Sequence, residues 1–302
     1  MIDMEVKALT NVYKEKFIAY CKKYRNDVDD SFLYDEDLRN FELNDDNPTY
    51  LILNQEREII AAASLMIDEY NKRGKKARFR LFHSEVDDFS CYSLLLEKIL
   101  LHTKGLEKVF LFINLENEKL MNIMKKLNFT IERYSFVLLR ENTEVEEPVY
   151  STDYNVRDFR QGKDEEVWCN VRNEGFAKLQ GNETPIDPEN VAKMLSSEDY
   201  LEGGMKILYH QEKPVGVVRC TNDVYLNEPT MNIGPISIIP DYQGKGLGRN
   251  LLRTALKFAQ EQTYKKTILC VNAENDHAKK LYLQEGFKQV EAVACYKYDL
   301  TV

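Results

Sequence analysis

The chain has 302 residues, of which 43% are hydrophobic and 30% are charged, and its formal net charge at pH 7 is −9. This composition is typical of a globular protein, the length favours two domains, and the negative charge disfavours nucleic acid as a partner. The 6 cysteines are scattered without a Cys-x-x-Cys pair, and the 4 histidines do not cluster with them, so we expect free buried thiols, no disulfide framework and no metal site.

The beginning of the sequence also bears on localisation. Residues 1–5 do not have the character of a signal peptide, and no apolar run approaches the length of a membrane span. We therefore expect a cytoplasmic protein with no membrane partner, in a compartment that keeps thiols reduced.

The first half of the chain predicts a mixed α/β domain over residues 1–145. A charged helix is followed by three antiparallel strands, and then by helices that alternate with strands. The predicted elements are a helix near 12–21, strands at 50–53, 58–66 and 77–82 with a turn at 71–74, a helix at 93–102, a strand at 109–114, a helix at 116–127 and two strands around Tyr134.

An acidic stretch that ends in proline, residues 141–148, predicts a linker. A second domain follows over residues 150–302. Its predicted elements are strands at 154–159, 205–209, 215–220, 236–239 and 267–271, helices at 165–176 and 188–195, and two further helices that begin after a glycine loop and at Asn275.

The glycine loop, Gln243-Gly-Lys-Gly-Leu-Gly248, separates the strand at 236–239 from a helix. Three glycines weaken both regular structures there and let the backbone approach a ligand closely. The following helix adds unpaired N–H groups and the positive end of its dipole. Together they predict a seat for a phosphate or a pyrophosphate.

Three phosphate-binding patterns compete for this loop. A Walker loop fails because the position that should hold the second glycine is Arg249, and a dinucleotide fingerprint misses its third glycine at the same residue. The pattern Gln/Arg-x-x-Gly-x-Gly/Ala is met fully by Gln243, Gly246 and Gly248. On this motif the sequence resembles the GNAT superfamily of acyl-CoA-dependent N-acetyltransferases, in which the loop grips the pyrophosphate of coenzyme A.

A second motif lies on the last predicted helix. Asn275, Ala278 and Tyr282 stand at i, i+3 and i+7 and share one face that spans roughly 10 Å, with Asn275 as the helix cap and Gly286 as its C′ residue. This pattern resembles the Asn-x-x-Ala-x-x-x-Tyr pattern of GNAT enzymes. The resemblance implies that Asn275 holds the pantetheine arm and that Tyr282 is the catalytic acid that protonates the departing thiolate.

The resemblance also implies the remaining site residues. Gly234 and Pro235 predict a bulge in the preceding strand, since proline cannot donate to a sheet ladder. In the family, such a bulge frees backbone groups for the acyl carbonyl and the pantetheine amides. The cofactor-binding residues implied in this way, with those of the loop, are Ile236, Ser237, Ile238, Gln243, Gly244, Lys245, Gly246, Leu247, Gly248, Arg249 and Asn275.

The two halves of the sequence form a repeat. Residues 110–117 align with 268–275, and the register continues without a gap to Phe129 and Phe287, about twenty residues in all. The fold class we expect is therefore α/β (α+β), with two tandem GNAT-like domains, each a mixed, mostly antiparallel sheet flanked by helices. Such a tandem layout with a degenerate first domain resembles the mycothiol synthase family.

The first domain lacks the residues that would bind the donor. Residues 84–90 replace the glycine loop with a glycine-free stretch that holds three acids, which repel a pyrophosphate, and Met124 stands opposite Tyr282 in the repeat. We therefore expect a degenerate first domain that walls the acceptor cleft of a catalytic second domain.

The reaction that the resemblance implies is direct transfer of an acetyl group from acetyl-CoA, as cosubstrate, to a primary amine of a small molecule or peptide. Many GNAT enzymes use a glutamate as general base where this chain has Asn232, which cannot act as a base. A carboxylate elsewhere, such as Glu174, or a chain of waters would then serve. A non-catalytic acyl-CoA sensor and a dinucleotide-binding protein are the alternatives; the acceptor amine and the oligomeric state stay open.

Overall fold

A computed structural model of the chain describes residues 5–86, 88–142 and 144–300. The chain divides into two compact units: unit 1 is Met1–Ser135 together with Ala292–Val302, and unit 2 is Phe136–Glu291. Each unit contains a mixed, mostly antiparallel sheet with helices, which confirms the predicted fold class. None of the described helices is both long enough and apolar enough to cross a membrane.

Unit 1 contains, among the described residues, five whole strands, parts of two further strands and five helices. Its sheet has the order β1-β2-β3-β4-β5-β12, in which β4 and β5 are parallel and the other neighbours are antiparallel. The elements are β1 (Glu5–Ala8), α1 (Asn11–Tyr24), α2 (Asp35–Arg39), β2 (Thr49–Leu53), β3 (Ile59–Met66), α3 (Glu69–Arg73), β4 (Lys76–Ser84), α4 (Phe89–Ile99), β5 (Lys108–Asn114), α5 (Glu118–Lys126), the first part of β6 (Thr130–Glu141) and the last part of β12 (Lys288–Asp299).

Helices cover both faces of this sheet. One core cluster gathers side chains of α4 and α5, and a second gathers side chains of α1 and α2 on the other face. The strand between these two clusters, β3, is therefore buried along all 8 of its residues. Its sequence, IIAAASLM, lacks the alternation of a half-exposed strand for this reason.

The unit boundaries differ from the predicted domain ranges of 1–145 and 150–302. The end of β12 is grouped with unit 1 because Val293–Asp299 pair with β5, and β6 begins in unit 1 and ends in unit 2. The prediction of two strands around Tyr134 was wrong, since β6 is one strand of 12 residues. The last strand of unit 1 comes from the end of the chain, a long-range pairing that local sequence does not specify.

Two aspartate caps explain further differences between the predicted and the observed helices of unit 1. The Asp68 side chain accepts a hydrogen bond from the Asn71 backbone N–H at 2.9 Å, so a short helix, α3, forms where we predicted only a turn. Asp88 caps α4 in the same way, and α4 therefore begins at Phe89 rather than at residue 93. Strand β1, which pairs with β2, was not predicted.

Unit 2 has the sheet order β6-β11-β10-β9-β8-β7, in which β10 and β11 are parallel. Besides the end of β6 and the start of β12, its elements are β7 (Tyr154–Asp158), α6 (Glu165–Phe176), α7 (Pro188–Ser196), β8 (Tyr200–His210), β9 (Lys213–Tyr225), β10 (Glu228–Ile238), α8 (Leu247–Glu261), β11 (Lys266–Asn272) and α9 (Asp276–Gln284). Every predicted element of this half is present, and β8, β9 and β10 are longer than predicted.

The predicted linker is bound to unit 2 in its described part; Thr143 lies outside the described residues. Glu146 forms an ion pair with Arg253 at 2.5 Å, and the Tyr150 hydroxyl lies 3.0 Å from that of Thr254. Both partners belong to α8. The stretch predicted as an acidic linker therefore packs along this helix.

Helix α6 packs closely on β10 through a glycine. A Cβ atom at Gly175 would lie 1.9 Å from Ser237 Oγ and 3.1 Å from the Ile238 carbonyl oxygen. The Ser237 side chain is buried and lies 3.4 Å from the Val171 carbonyl oxygen of α6, so it has little room to move. The absence of a side chain at residue 175 thus sets the distance between α6 and the end of β10.

Replacing Gly175 with alanine should separate α6 from β10 and lower the free energy of unfolding by about 1–3 kcal/mol, the usual range for overpacking a core contact. Chemical denaturation measures this loss. Asn170→Ala on the same helix is the control, because Asn170 is exposed and its replacement should have little effect. Equal stability of Gly175→Ala and the wild type would contradict the close packing.

Candidate functional site

The site begins where two parallel strands separate. The ladder between β10 and β11 consists, in the described chain, of two residue pairs, Met231 with Thr267 and Asn232 with Ile268. Strand β10 continues to Ile238 on its other edge, against β9, after a bulge at Gly234 and Pro235. The bulge was predicted and is confirmed. Beyond Asn232 no further residue of β10 pairs with β11 in the described chain. An extended ligand could add as a further strand in this unpaired stretch between β10 and β11, which we call the gap.

The glycine loop follows directly from the end of β10. Gly244 and Gly246 have φ values of 74° and 76°, the left-handed region that suits glycine, and a Cβ atom at either residue or at Gly248 would meet no atom within 4 Å. Helix α8 begins at Leu247, and no side chain of the described residues caps its first N–H groups. The loop and the uncapped helix start thus offer backbone donors to an anion.

The other loop residues have mixed roles in the structure. The Gln243 side chain donates a hydrogen bond to the Ile238 carbonyl oxygen at 2.8 Å and so closes the loop. Lys245 is exposed, with Nζ 4.7 Å from the centre of the Tyr242 ring, whereas Leu247 is buried in the core. Of Gln243, Lys245 and Leu247, only Lys245 therefore has an exposed charged group beside the loop.

Arg249 directs its guanidinium away from the loop. It forms an ion pair with Glu285 at 2.6 Å and also contacts Gln284, while Arg253 holds both carboxylate oxygens of Glu285 at 2.8 Å. Arg249 can therefore contribute its backbone N–H, but not its side chain, to an anion at the loop. The paired charges join α8 to the end of α9.

The two arginines lower the pKa of Glu285. Burial acts to raise the pKa of its carboxyl, but hydrogen bonds and charge from Arg253 and Arg249 outweigh it and hold that pKa below the ordinary value. The side chain is 7% exposed, so the pair is shielded from solvent. Sequence reasoning did not identify this anchor.

Helix α9 carries the second motif. The Asn275 side chain accepts a hydrogen bond from the Ala278 N–H at 3.2 Å, as its predicted role as a cap requires, and its amide N–H₂ group is left to donate elsewhere. Tyr282 lies two turns on, partly exposed, with its ring 6.0 Å from that of Phe287. Gly286 has a φ of 90°, as a C′ glycine should.

The surroundings of Tyr282 favour its protonated form. Desolvation of the hydroxyl, and to a smaller extent the charge of a Cys270 thiolate, raise the pKa of Tyr282 to about 12. The phenol therefore keeps its proton at neutral pH. Cys270 is exposed on β11, two residues past the last pair with β10, so the expectation of buried thiols was wrong for this cysteine.

The candidate general bases lie in different surroundings. Asn232 donates a hydrogen bond from its amide to the Asp223 carboxylate on β9, at 2.9 Å. Glu174 is exposed on α6. Sequence reasoning missed Asp223 because the predicted strand ends at Cys220, whereas β9 continues through three polar residues to Tyr225; the strand-forming residues Val224 and Tyr225 were the signal that could have extended it.

Unit 1 repeats the framework with different chemistry. Asn117 caps α5 with φ and ψ of −86° and 65°, compared with −87° and 65° for Asn275. However, the start of α4 is already capped, since Asp88 accepts a hydrogen bond from the Ser90 N–H at 2.8 Å. Met124 is fully buried in the core. Asp87, the middle acid of the predicted acidic stretch, lies outside the described residues.

Comparison with known proteins agrees with this geometry. Residues 150–287 match the family model described as "Acetyltransferase (GNAT) family". A mycothiol acetyltransferase of Acidothermus cellulolyticus is 26% identical over 65% of this chain and 63% of its own length, and one of Streptomyces bingchenggensis is 27% identical over 52% and 50%. The chain thus spans about half to two thirds of the length of these relatives.

Solved structures resemble the whole chain. A GCN5-related N-acetyltransferase from Sphaerobacter thermophilus has a TM-score of 0.70 at 15% identity and covers 98% of this chain and 95% of its own. A tandem GNAT protein from the clavulanic acid biosynthesis pathway has a TM-score of 0.69 at 9% identity, with 98% of both chains covered.

The short parallel ladder, the bulge and the glycine loop give unit 2 the features of a GNAT domain, and the solved structures show that the fold of both halves of the chain is GNAT-like. The domain over residues 150–287 is the part of the chain that matches the GNAT acetyltransferase family.

Replacing Glu285 with glutamine should destabilise the protein at pH 7 by on the order of 2–3 kcal/mol, because two arginines lose a shielded partner. Since the folded pKa of Glu285 is depressed, its stabilisation is present above the unfolded pKa of about 4.3 and is lost as pH falls through the folded pKa. The difference between wild type and variant in urea unfolding should therefore shrink below pH 4.

The matched control is Glu212→Gln, which removes an exposed partner of Arg157 and should change stability little at any pH. A difference for Glu285→Gln that stays constant from pH 7 to pH 3 would contradict the proposed charge pairing.

Proposed function

We propose that the protein transfers an acetyl group from acetyl-CoA to a primary amine of a small molecule or peptide by direct attack. The observation that carries the proposal is the early end of the β10–β11 ladder beside an uncapped helix start. The gap suits the extended pantetheine arm, and the loop suits the pyrophosphate. The family and the names of the relatives support the same chemistry.

The backbone of unit 2 would bind the donor. N–H groups of the loop and of the first turn of α8, from Gly244 to Arg249, would hold the pyrophosphate, with Lys245 adding charge. Ile236, Ser237 and Ile238 would supply main-chain groups to the pantetheine amides and to the thioester carbonyl. The Asn275 amide would donate to the arm from the opposite side of the gap.

Tyr282 would complete the reaction. As the amine attacks, negative charge develops on the thioester oxygen, and backbone N–H groups of the bulged strand can stabilise it. The C–S bond then breaks, and Tyr282 would give its proton to the sulfur. Tyr282 carries its proton at neutral pH, as a proton donor must.

The acceptor follows less directly from the site. The net charge of −9 favours a cationic acceptor, and the curated relatives are named mycothiol acetyltransferases. We propose an amine acceptor of this general kind. For unit 1 we propose that no acyl-CoA binds, since the start of α4 already has a carboxylate cap in Asp88.

Tyr282→Phe should lower kcat by about 10²–10⁴-fold while the affinity for acetyl-CoA stays unchanged, because only the proton donor is lost. Thiol release with an amine acceptor and calorimetry measure the two quantities. Tyr150→Phe is the control: burial also raises the pKa of Tyr150 to about 12, but its hydroxyl lies beside Thr254. An undiminished rate for Tyr282→Phe would remove Tyr282 as the acid.

Calorimetric titration of the wild type with acetyl-CoA should give one site per chain. Two sites would disprove the degenerate first unit. Binding without transfer to any amine would instead favour an acyl-CoA sensor, and binding of a nicotinamide dinucleotide in place of acetyl-CoA would favour the third alternative.

Asn275→Ala and Asn117→Ala form a matched pair. Each removes a helix cap of the same geometry and should cost about 1 kcal/mol of stability. Only Asn275→Ala should also weaken acetyl-CoA binding, by roughly tenfold for one lost hydrogen bond. Equal affinities of the two variants would exclude Asn275 from the donor site.

A further inference from the structure

The position where many members of the family place a catalytic glutamate holds Asn232, and its side chain leads to another carboxylate. The Asn232 amide nitrogen lies 2.9 Å from Asp223 Oδ2, and Asp223 Oδ1 accepts the Val224 backbone N–H at 2.7 Å. Asn232 and Asp223 lie on adjacent antiparallel strands, in pairs two residues apart, with Asn232 opposite Thr221 and Asp223 opposite Thr230. Their side chains therefore share one face of the sheet.

This face is the one that α6 covers further along β10. Ser237 on β10 contacts the Val171 carbonyl oxygen of α6, and it pairs with Val217 on β9. Val217 and Asp223 are an even number of residues apart on β9, so their side chains lie on the same face. The bulge at Gly234 and Pro235 lies between Asp223 and Ser237 along the sheet. Asp223, which stands opposite Thr230, thus lies on the same face of the sheet as Ser237, close to Asn232, where the pairing between β10 and β11 ends.

Asp223 differs in its partners from two other carboxylates that contact β9, Asp199 and Glu291. Asp199 forms an ion pair with Arg219 at 2.9 Å, and Glu291 accepts a hydrogen bond from Tyr225. Among the residues that the structure describes, no lysine or arginine nitrogen lies within ion-pair distance of Asp223; its hydrogen bonds come from a neutral amide and a backbone N–H. Asp223 is therefore a half-buried carboxylate without a cationic partner among the described residues.

We propose that Asp223 is the general base of the reaction and that it binds the ammonium group of the acceptor; this inference rests on the proposed acetyl transfer. The side chain of a glutamate at residue 232 would be longer than that of asparagine by one carbon–carbon bond, roughly 1.5 Å. The Asp223 carboxylate begins 2.9 Å beyond the Asn232 amide nitrogen, so it stands close to where that glutamate's carboxylate would end. Strand β9 thus supplies the carboxylate, and Asn232 orients this carboxylate by donating a hydrogen bond to it.

Asp223 takes one proton from R–NH₃⁺ and releases it to water, and the free amine forms the new C–N bond. The nitrogen then loses a second proton, the C–S bond breaks, and Tyr282 protonates the thiolate; that second proton, relayed through water, restores the phenol. The net products are the amide, CoA–SH and one proton.

The test compares Asp223→Asn with the double variant Asp223→Asn/Asn232→Glu. The asparagine keeps the shape of the side chain but cannot accept a proton. Glutamate at 232 returns a carboxylate to nearly the same place. Acetyl transfer to polyamines, amino sugars and dipeptides with free N-termini is measured from pH 6 to pH 10, with acetyl-CoA affinity by calorimetry. Glu228→Gln, an exposed carboxylate at the start of β10, is the control.

Asp223→Asn should lower kcat/KM by at least about 100-fold at pH 7, with the loss shrinking towards pH 10, where amines deprotonate on their own. The double variant should recover most of the rate, and acetyl-CoA affinity should not change in any variant. The charged groups around Asp223, the Arg219–Asp199 pair and Glu291, stay in place throughout.

Three outcomes would overturn the assignment of Asp223. These are an unchanged rate for Asp223→Asn, a loss of equal size at every pH, and no recovery in the double variant although acetyl-CoA still binds. If the wild type binds acetyl-CoA and acetylates no amine of the panel, the proposed acetyl transfer fails as well. That result differs from a loss confined to the variants, so the two failures are distinguishable.

Discussion

The geometry of the site depends on the short parallel ladder between β10 and β11. After the pair formed by Asn232 and Ile268, the two strands hold no further described pairing with each other. A sheet normally satisfies its backbone groups through its neighbours, and an edge that is left open attracts a partner. Here the open edge lies inside the unit, next to the start of a helix, so the partner it suits is an extended ligand with a charged end.

The open gap needs fixed walls, and two contacts provide them. Gly175 lets α6 approach Ser237 at one end of β10, where any side chain would push the helix away. Glu285 joins Arg249 and Arg253 of α8 to the end of α9. The contact at Gly175 depends on the absence of a side chain, and the contact at Glu285 depends on opposite charges. Both act on the elements that flank the gap, without entering it.

The two units show how little a fold specifies about chemistry. Asn117 and Asn275 cap equivalent helices with nearly the same backbone angles. A few replacements separate the units nonetheless: Asp88 occupies the helix start that the glycine loop leaves open, and Met124 stands where Tyr282 is. Since an anion and a carboxylate compete for the same N–H groups, one capping residue is enough to change what that helix start can bind.

Local sequence was sufficient for the elements whose signals are local. The glycine loop, the Asn275 cap, the C′ glycine at 286 and the bulge at Pro235 all follow from the backbone preferences of single residues, and each is found where the sequence places it. The family resemblance followed from the same short stretch. These features could be predicted because they depend on neighbours in the chain.

The tertiary structure alone decided the rest. The grouping of β12 with unit 1, the carboxylate of Asp223 beside Asn232, and the two arginines on Glu285 each join residues that are distant in sequence or lie on separate strands. Pairing register and packing bring such groups together, and neither is encoded in a local pattern. The sequence by itself therefore determined the kind of site, whereas the fold determined which side chains surround it.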